Sequence, residues 1–324
     1  MILGLVEHDR GRLNELSLQM LTFARRLASE LDGKLEAVLI GEAARPLADG
    51  LAAYGASAVH LAQHEGLDEY APQAWAESVA QLVAATSPRM VMAIGSERGH
   101  EVMAHLAARD GLPLAANCTD VHPGEPCRVT RQRWGGTLLE EAELEGQVKL
   151  LTIAQHVTQA EVVADAGTAE VAAFAPELSD AHFRVRVTGR VEKAGGAVSL
   201  TEARVVIGGG RGVGGADGFG ALEELANLLG GTVGCSRAVT SAGWRPHADQ
   251  IGQTGVRIAP DLYIACGISG ATQHIVGCKG AKHILVINTD REAPILARAD
   301  YAVIGDVRQV VPALNAEIRK VVQR

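Results

Sequence analysis

Between residues 205 and 307, short apolar runs stop four times at glycine or a small polar residue: "VVIGGGRG", "LYIACGISG", "LVINTD" and "YAVIGDV". A short apolar run bounded in this way reads as a buried strand, and helical spacing follows the glycines over Phe219–Leu229. Strands alternating with helices build an open parallel sheet covered on both faces, whose ligands lie beyond the carboxyl ends of the strands. Polar residues at four strand ends of one small domain therefore describe a long ligand crossing the sheet edge.

The first half of the chain alternates as well. Ile2–Glu7, "KLEAVLIG", Val59–Ala62 and "PRMVMAIG" read as strands, and Leu13–Leu31, Ala43–Tyr54, Ala74–Ala85 and Glu97–Ala108 as helices. After Leu112, "LAANCTDVHP", "CRVTRQRWGGTLLEEAEL" and "VKLLTIAQH" follow without helices and predict an antiparallel extension of the same sheet. The signal fades over residues 157–201, where "HFRVRVTGRV" is one further expected strand. The fold class is thus α/β with two domains, an N-terminal β/α domain over 1–198 and a doubly wound, Rossmann-like domain over 199–324. Aromatic residues make up only 3% of the chain, and its Ala, Val and Gly content suits parallel strands under alanine-rich helices.

Charge and composition narrow the function. A formal net charge of −8 with no basic block excludes general nucleic-acid binding, which needs clustered Lys and Arg. No apolar run reaches membrane-spanning length, and "MILGLVEHDRGRL" reads as a first strand rather than a leader, so a cytoplasmic location is expected. The cysteines (Cys118, Cys127, Cys235, Cys266, Cys278) form no C-x-x-C pair, and neither a disulfide framework nor a metal site is expected. Glu7, His8 and Asp9 end the first strand, and His100 and His105 share a helix at a spacing that separates their faces. All five are expected to be surface residues, and the Gly95–Arg98 turn looks like a nucleotide-type loop but is too short to be diagnostic.

Gly210, Gly212 and Gly215 satisfy G-x-G-x-x-G between a strand and a helix, where backbone amides cradle a pyrophosphate. The NAD version of this motif needs an acid at the end of the next strand to hold the ribose. Here that strand, "TVGC", ends in Ser236 and Arg237. A phosphate-bearing ligand other than NAD is favoured, with a stand-alone NAD-dependent oxidoreductase using Gly210–Gly215 as the alternative. A nucleotide module of the universal-stress type fits the N-terminal alternation but ignores the later motifs.

Those later motifs are "GGRG", "SRA…AGW.P", "QIGQTG", "APDLYIACGISGATQH", "INTD…API" and "ADYAVIGD". In this order they resemble the FAD domain of the alpha subunit of electron transfer flavoproteins, the Etf-alpha/FixB family. The resemblance implies an FAD-binding subunit, paired with an Etf beta subunit that carries AMP or a second FAD. It also implies electrons accepted from flavin-dependent dehydrogenases, as in fatty acid beta-oxidation, and passed to an acceptor oxidoreductase such as a membrane quinone reductase. Such a protein is a redox carrier without a dedicated substrate or catalytic residues.

The resemblance carries over to individual positions. Arg211 reaches toward the flavin side, and Ser236 and Arg237 flank the isoalloxazine. A fixed guanidinium suits a ring that gains negative charge. One pair near ~4 Å at an effective dielectric near ~20 is worth roughly 4 kcal/mol, a ceiling of roughly 170 mV for one electron. Ile251, Gly252, Gln253 and Thr254 match the loop that contacts flavin and ribityl. Ser269, Gly270, Ala271, Thr272 and Gln273 match the ribityl and pyrophosphate loop, and His274 the histidine near the pyrimidine oxygen. Asn288, Asp306 and Val307 fall where the family holds AMP, although Asp306 also reads as the N-cap of the last helix. Ser241 and Thr289 depart from the family pattern, where an acid and a basic residue are common.

Overall fold

The computed structural model describes residues 1–164, 166–189 and 199–322. The chain divides into two compact units, Met1–Val191 and Glu192–Arg324. The boundary expected between residues 198 and 199 borders residues 190–198, which lie outside the described residues.

Unit 1 contains β1 (Ile2–Leu5), a small antiparallel ribbon of β2 (His8–Asp9) and β3 (Arg12–Leu13), α1 (Leu16–Glu30), β4 (Leu35–Ile40), α2 (Ala48–Leu51), β5 (Ala56–Ala62), α3 (Pro72–Thr86), β6 (Met90–Ile94) and α4 (Glu97–Asp110). The strands β7 (Leu114–His122), β8 (Cys127–Arg133), β9 (Leu138–Leu144), β10 (Lys149–Ile153) and β11 (Glu170–Phe174) complete it. Nine of these strands form one sheet in the order β11-β5-β4-β1-β6-β10-β7-β8-β9. β1 is buried along its whole length because both faces are covered. Its Ile2 joins the core under α1, with Met20 and Leu27. Leu3 and Leu5 join the opposite core with Trp75 and Val79 of α3 and Leu106 of α4.

Three expectations change. "VKLLTIAQH" does not extend the sheet antiparallel: β10 inserts between β6 and β7 and is parallel to both. Within the nine-stranded sheet, among the described residues, only the β7–β8 and β8–β9 pairs are antiparallel. A helix over Ala43–Tyr54 is broken into 3-10 turns around the single turn of α2, with Pro46 inside the first of them and no backbone N–H to give. "HFRVRVTGRV" forms no strand over residues 182–189, and its last two residues lie outside the described residues. β11 instead supplies the last strand of the sheet, paired with β5.

Unit 2 contains β12 (Val205–Gly209), α5 (Phe219–Leu228), β13 (Thr232–Cys235), α6 (Arg237–Ser241), β14 (Leu262–Cys266), α7 (Thr272–Cys278), β15 (His283–Asn288), β16 (Tyr301–Ile304) and α8 (Val307–Val322). The sheet runs β13-β12-β14-β15-β16 and every pair is parallel. One face is closed by α5 and α8, with Phe219, Leu222 and Val311 buried between them and Ile207 and Ile264. The other face buries Tyr263 with Ile251, Ile258 and Ile295. From β12 the chain first steps to β13 and later returns to β14 on the other side. The crevice beyond β12 and β14 is therefore the switch point at which an open α/β sheet binds ligands.

Candidate functional site

Each unit has a switch point, and the two differ in what fills them. In unit 1 it lies beyond β1 and β6. There Glu7 hydrogen-bonds Ser96 Oγ through one carboxylate oxygen and accepts from Asn14 Nδ2 at 3.1 Å through the other. Ser96 also caps α4, accepting from the Gly99 N–H at 2.9 Å. Arg98 crosses the opening, donating to His8 O and to Asp9 Oδ1, both at 3.1 Å. What remains is a void of about 10 Å³ beside Glu7, Trp75 and Arg98, room for one water. His8 is buried rather than at the surface: Nε2 lies 2.6 Å from Ile40 O and Nδ1 accepts from Gly11 N at 3.2 Å. With Nδ1 accepting, Nε2–H donates and the ring is neutral; burial lowers its pKa accordingly.

The switch point of unit 2 opens into a cavity of about 470 Å³, within the range of cofactor pockets. Its floor is backbone. The Gly210 N–H donates to Cys266 O at 2.8 Å and the Gly212 N–H to Gly267 O at 3.1 Å, which ties the loops after β12 and β14 together. A Cβ on Gly210 would stand 2.2 Å from Gly267 O, and one on Gly212 would stand 2.7 Å from Gly267 Cα. Glycine is required here for the close approach of two loops, and Gly267 also takes a left-handed φ of 63°.

Arg211 leaves the loop after β12, and Ser236 and Arg237 follow β13; all three line the cavity. Neither guanidinium forms a hydrogen bond or ion pair among the described residues. Ile251, Gly252, Gln253 and Thr254 line it from the loop that crosses beside α6. Gln250, only 2% exposed, braces that loop. Thr240 Oγ1 lies 2.8 Å from Gln250 Oε1, and Gln250 Nε2 donates to Thr254 Oγ1 at 3.0 Å. Ser269, Gly270, Ala271, Gln273 and His274 enter from β14 and α7, and Asn288 from the end of β15, its Nδ2 donating to Ile268 O at 2.9 Å.

His274 is fixed from behind. Tyr263 of β14 is fully buried and its Oη lies 2.8 Å from His274 Nε2. Among the described residues the hydroxyl proton has no other acceptor, so Oη donates, Nε2 accepts, and the ring proton sits on Nδ1. Nδ1 is buried without a hydrogen bond among the described residues. Burial lowers the pKa of this imidazole to about 4, against a smaller opposing pull from the Ile251 backbone, so it is neutral at pH 7. The thiols of Cys235, Cys266 and Cys278 are buried and pushed up to about 12, which leaves them unreactive.

Three expected residues are not among those lining the cavity. Thr272 opens α7 with its side chain exposed. Asp306 caps α8, accepting from the Arg308 N–H at 2.9 Å and pairing with the Arg308 guanidinium, and Val307 is buried in the core. Among the lining residues that were not anticipated, Gln250 and Asp290 carry polar side chains. Both stand beside expected ones, in "QIGQTG" and "INTD", and the acid at the end of an apolar strand was the available signal for Asp290.

A parallel, doubly wound unit whose switch point holds a glycine floor, two unpaired cations and a neutral histidine defines a nucleotide-cofactor binding protein. The family model of the electron transfer flavoprotein FAD-binding domain matches residues 199–279, and that of the electron transfer flavoprotein domain matches residues 2–179. Full-length relatives agree. The electron transfer flavoprotein subunit alpha of Mycobacterium tuberculosis is 38% identical over 320 residues, covering 98% of each chain. That of Thermoanaerobacterium thermosaccharolyticum is 33% identical over 97% of this chain and 96% of its own. The protein FixB of Clostridium saccharobutylicum is 35% identical over 98% and 95%. The chain belongs to the electron transfer flavoprotein alpha subunit family, and its second unit carries that family's FAD-binding domain.

Proposed function

We propose that this chain is the FAD-binding subunit of a heterodimeric electron carrier, paired with an Etf beta subunit. It takes electrons from flavin-dependent dehydrogenases and gives them to a downstream oxidoreductase, such as a membrane quinone reductase. The observation that carries the reading is the lining of the unit 2 cavity, where Arg211 and Arg237 stand unpaired over a floor that only glycine can form. An FAD carries two phosphate charges and a ring that becomes more negative on reduction, and both suit that lining. The orphan Nδ1 of buried His274 likewise fits a partner with a hydrogen-bond acceptor.

When bound, FAD supplies reversible one- and two-electron transfer. The residues proposed to hold it are Arg211, Ser236, Arg237, Ile251–Thr254, Ser269–Ala271, Gln273, His274 and Asn288. Asp306 and Val307 take part indirectly, by fixing the start of α8 beside β16. Arg237, at the end of β13, stabilises added negative charge because a guanidinium keeps its proton at any working pH. Thr254, braced by Gln250, offers a hydroxyl to the cavity, and His274 stays neutral. The partner subunit is proposed to hold AMP or a second FAD.

Co-expression with a beta subunit tests the proposal. A 1:1 complex whose bound flavin is reduced by a flavin-dependent acyl-CoA dehydrogenase and its substrate is the expected result. A chain that stays alone and is reduced by NADH without any donor enzyme would favour a stand-alone oxidoreductase.

A further inference from the structure

Unit 1 buries a donor at its own switch point. Trp75 of α3 is only 2% exposed, and its indole N–H has no acceptor among the described residues. An indole nitrogen donates and never accepts, so only an acceptor can satisfy it. Buried polar groups in folded proteins are paired with protein or with ordered water, and a leftover one needs a physical reason. Trp75 also borders the void of about 10 Å³ beyond β1 and β6, together with Glu7, Arg98 and the apolar side chains of Leu5, Ile94 and Val102.

The lining dictates what can occupy that void. The two oxygens of the Glu7 carboxylate offer about four acceptor sites. Asn14 Nδ2 and Ser96 Oγ donate to one oxygen each, which leaves acceptor capacity on both. Arg98 is held in place by its bonds to His8 O and Asp9 Oδ1, with its Cζ 4.6 Å from the centroid of the Tyr70 ring. A cation would be repelled by this guanidinium and would find no ligand at the indole nitrogen. An anion would be repelled by Glu7. The occupant is therefore uncharged, accepts on the side of α3, donates on the side of β1, and has the size of one heavy atom. Water meets all four conditions.

We infer that the switch point of unit 1 is a binding site for a single ordered water, which accepts from Trp75 Nε1–H and donates to the Glu7 carboxylate. A water-mediated bond of this kind is nearly as favourable in enthalpy as a direct one. It ties α3 to the ends of β1 and β6, through Glu7 and its partner Ser96, and makes Trp75 and Glu7 act as a pair. It also completes the polar plug at a place where an open α/β sheet otherwise takes a ligand. The inference is independent of what unit 2 binds.

The test is a crystal structure of the whole chain, read together with NMR of the chain labelled at the indole nitrogens. The expected density is one water within hydrogen-bond distance of both Trp75 Nε1 and a Glu7 oxygen. In solution, the Trp75 indole resonance is the one missing from Trp75→Phe. In the native chain it shows a cross-peak to water with the sign of a long-lived bound molecule rather than of proton exchange. A double-mutant cycle reads the coupling, and the packing lost with the indole cancels in it. Trp75→Phe lowers the folding equilibrium constant about fivefold more in the native background than beside Glu7→Met, the scale of one hydrogen bond. Additive effects, a native structure without water at Trp75 Nε1, or a native indole resonance without the cross-peak would each overturn the inference. If a variant fails to fold, the native density decides alone.

Discussion

Tyr263 Oη donates to His274 Nε2 across 2.8 Å, and this fully buried contact sets the protonation of a residue in the cofactor cavity. The contact exists because Gly208 has no side chain: a Cβ there would stand 2.2 Å from the Tyr263 hydroxyl. Sequence, packing and site chemistry meet in these three residues.

Stability is expected to fall in mild acid. The pKa of His274 drops from 6.5 to about 4 on burial, so the unfolded chain binds a proton that the folded chain refuses between those values. The stabilisation is complete above pH 6.5 and is lost as pH falls toward 4, by about 3 kcal/mol for this group. Buried His8, shifted in the same direction, adds to the slope. Denaturant midpoints measured across this window should decline, and His274→Asn should flatten the decline. Tyr263→Phe should cost about 1–3 kcal/mol at neutral pH by leaving Nε2 buried and unpaired.

Gly210→Ala should abolish cofactor binding before it abolishes folding. The backbone φ of −109° tolerates alanine, so the effect is steric: the new Cβ meets Gly267 O and drives the floor of the cavity apart. Overpacking of this kind costs about 1–3 kcal/mol. Flavin affinity should fall more than tenfold (~1.4 kcal/mol). Equilibrium titration beside a melting curve checks both.

Arg237→Ala should leave stability nearly unchanged, because the side chain is exposed and unpaired. The reduction potential of bound flavin should fall by tens of millivolts, within the roughly 170 mV ceiling set by one charge pair. Arg237→Lys should recover part of the loss. Spectroelectrochemical titration reads the difference, and an unchanged potential would remove Arg237 from the flavin environment.

In unit 1, Ser96→Ala removes the N-cap of α4 and the partner of Glu7 together. A cost of about 1–2 kcal/mol is expected. Urea denaturation should show it as a lower midpoint, with flavin affinity untouched.

The doubly wound character of unit 2 was legible because each strand end carries its signal in sequence, from "GGGRG" to "VIGDV". The cavity was legible for the same reason, since its lining follows those ends. Strand order was not: β10 looks like its antiparallel neighbours, and only tertiary contact with β6 decides that it runs parallel. The burial of His8 was also hidden, because it depends on Ile40 O and the Trp75 ring, distant in sequence. Asp290 and Asp306 both follow apolar strands, but Asp306 is held by the start of α8 and Arg308, whereas Asp290 faces the cavity. Local sequence does not rank two such acids, and packing does.

The central claim is that the unit 2 cavity holds FAD. The direct test is to purify the chain with its co-expressed beta subunit, release the bound cofactor and identify and count it by chromatography and absorbance, then repeat with Gly210→Ala. The account predicts about one FAD per native alpha chain beyond any flavin held by beta, and its loss from the variant. A native complex whose alpha chain carries no flavin and takes up none, or that releases NAD instead, would contradict it.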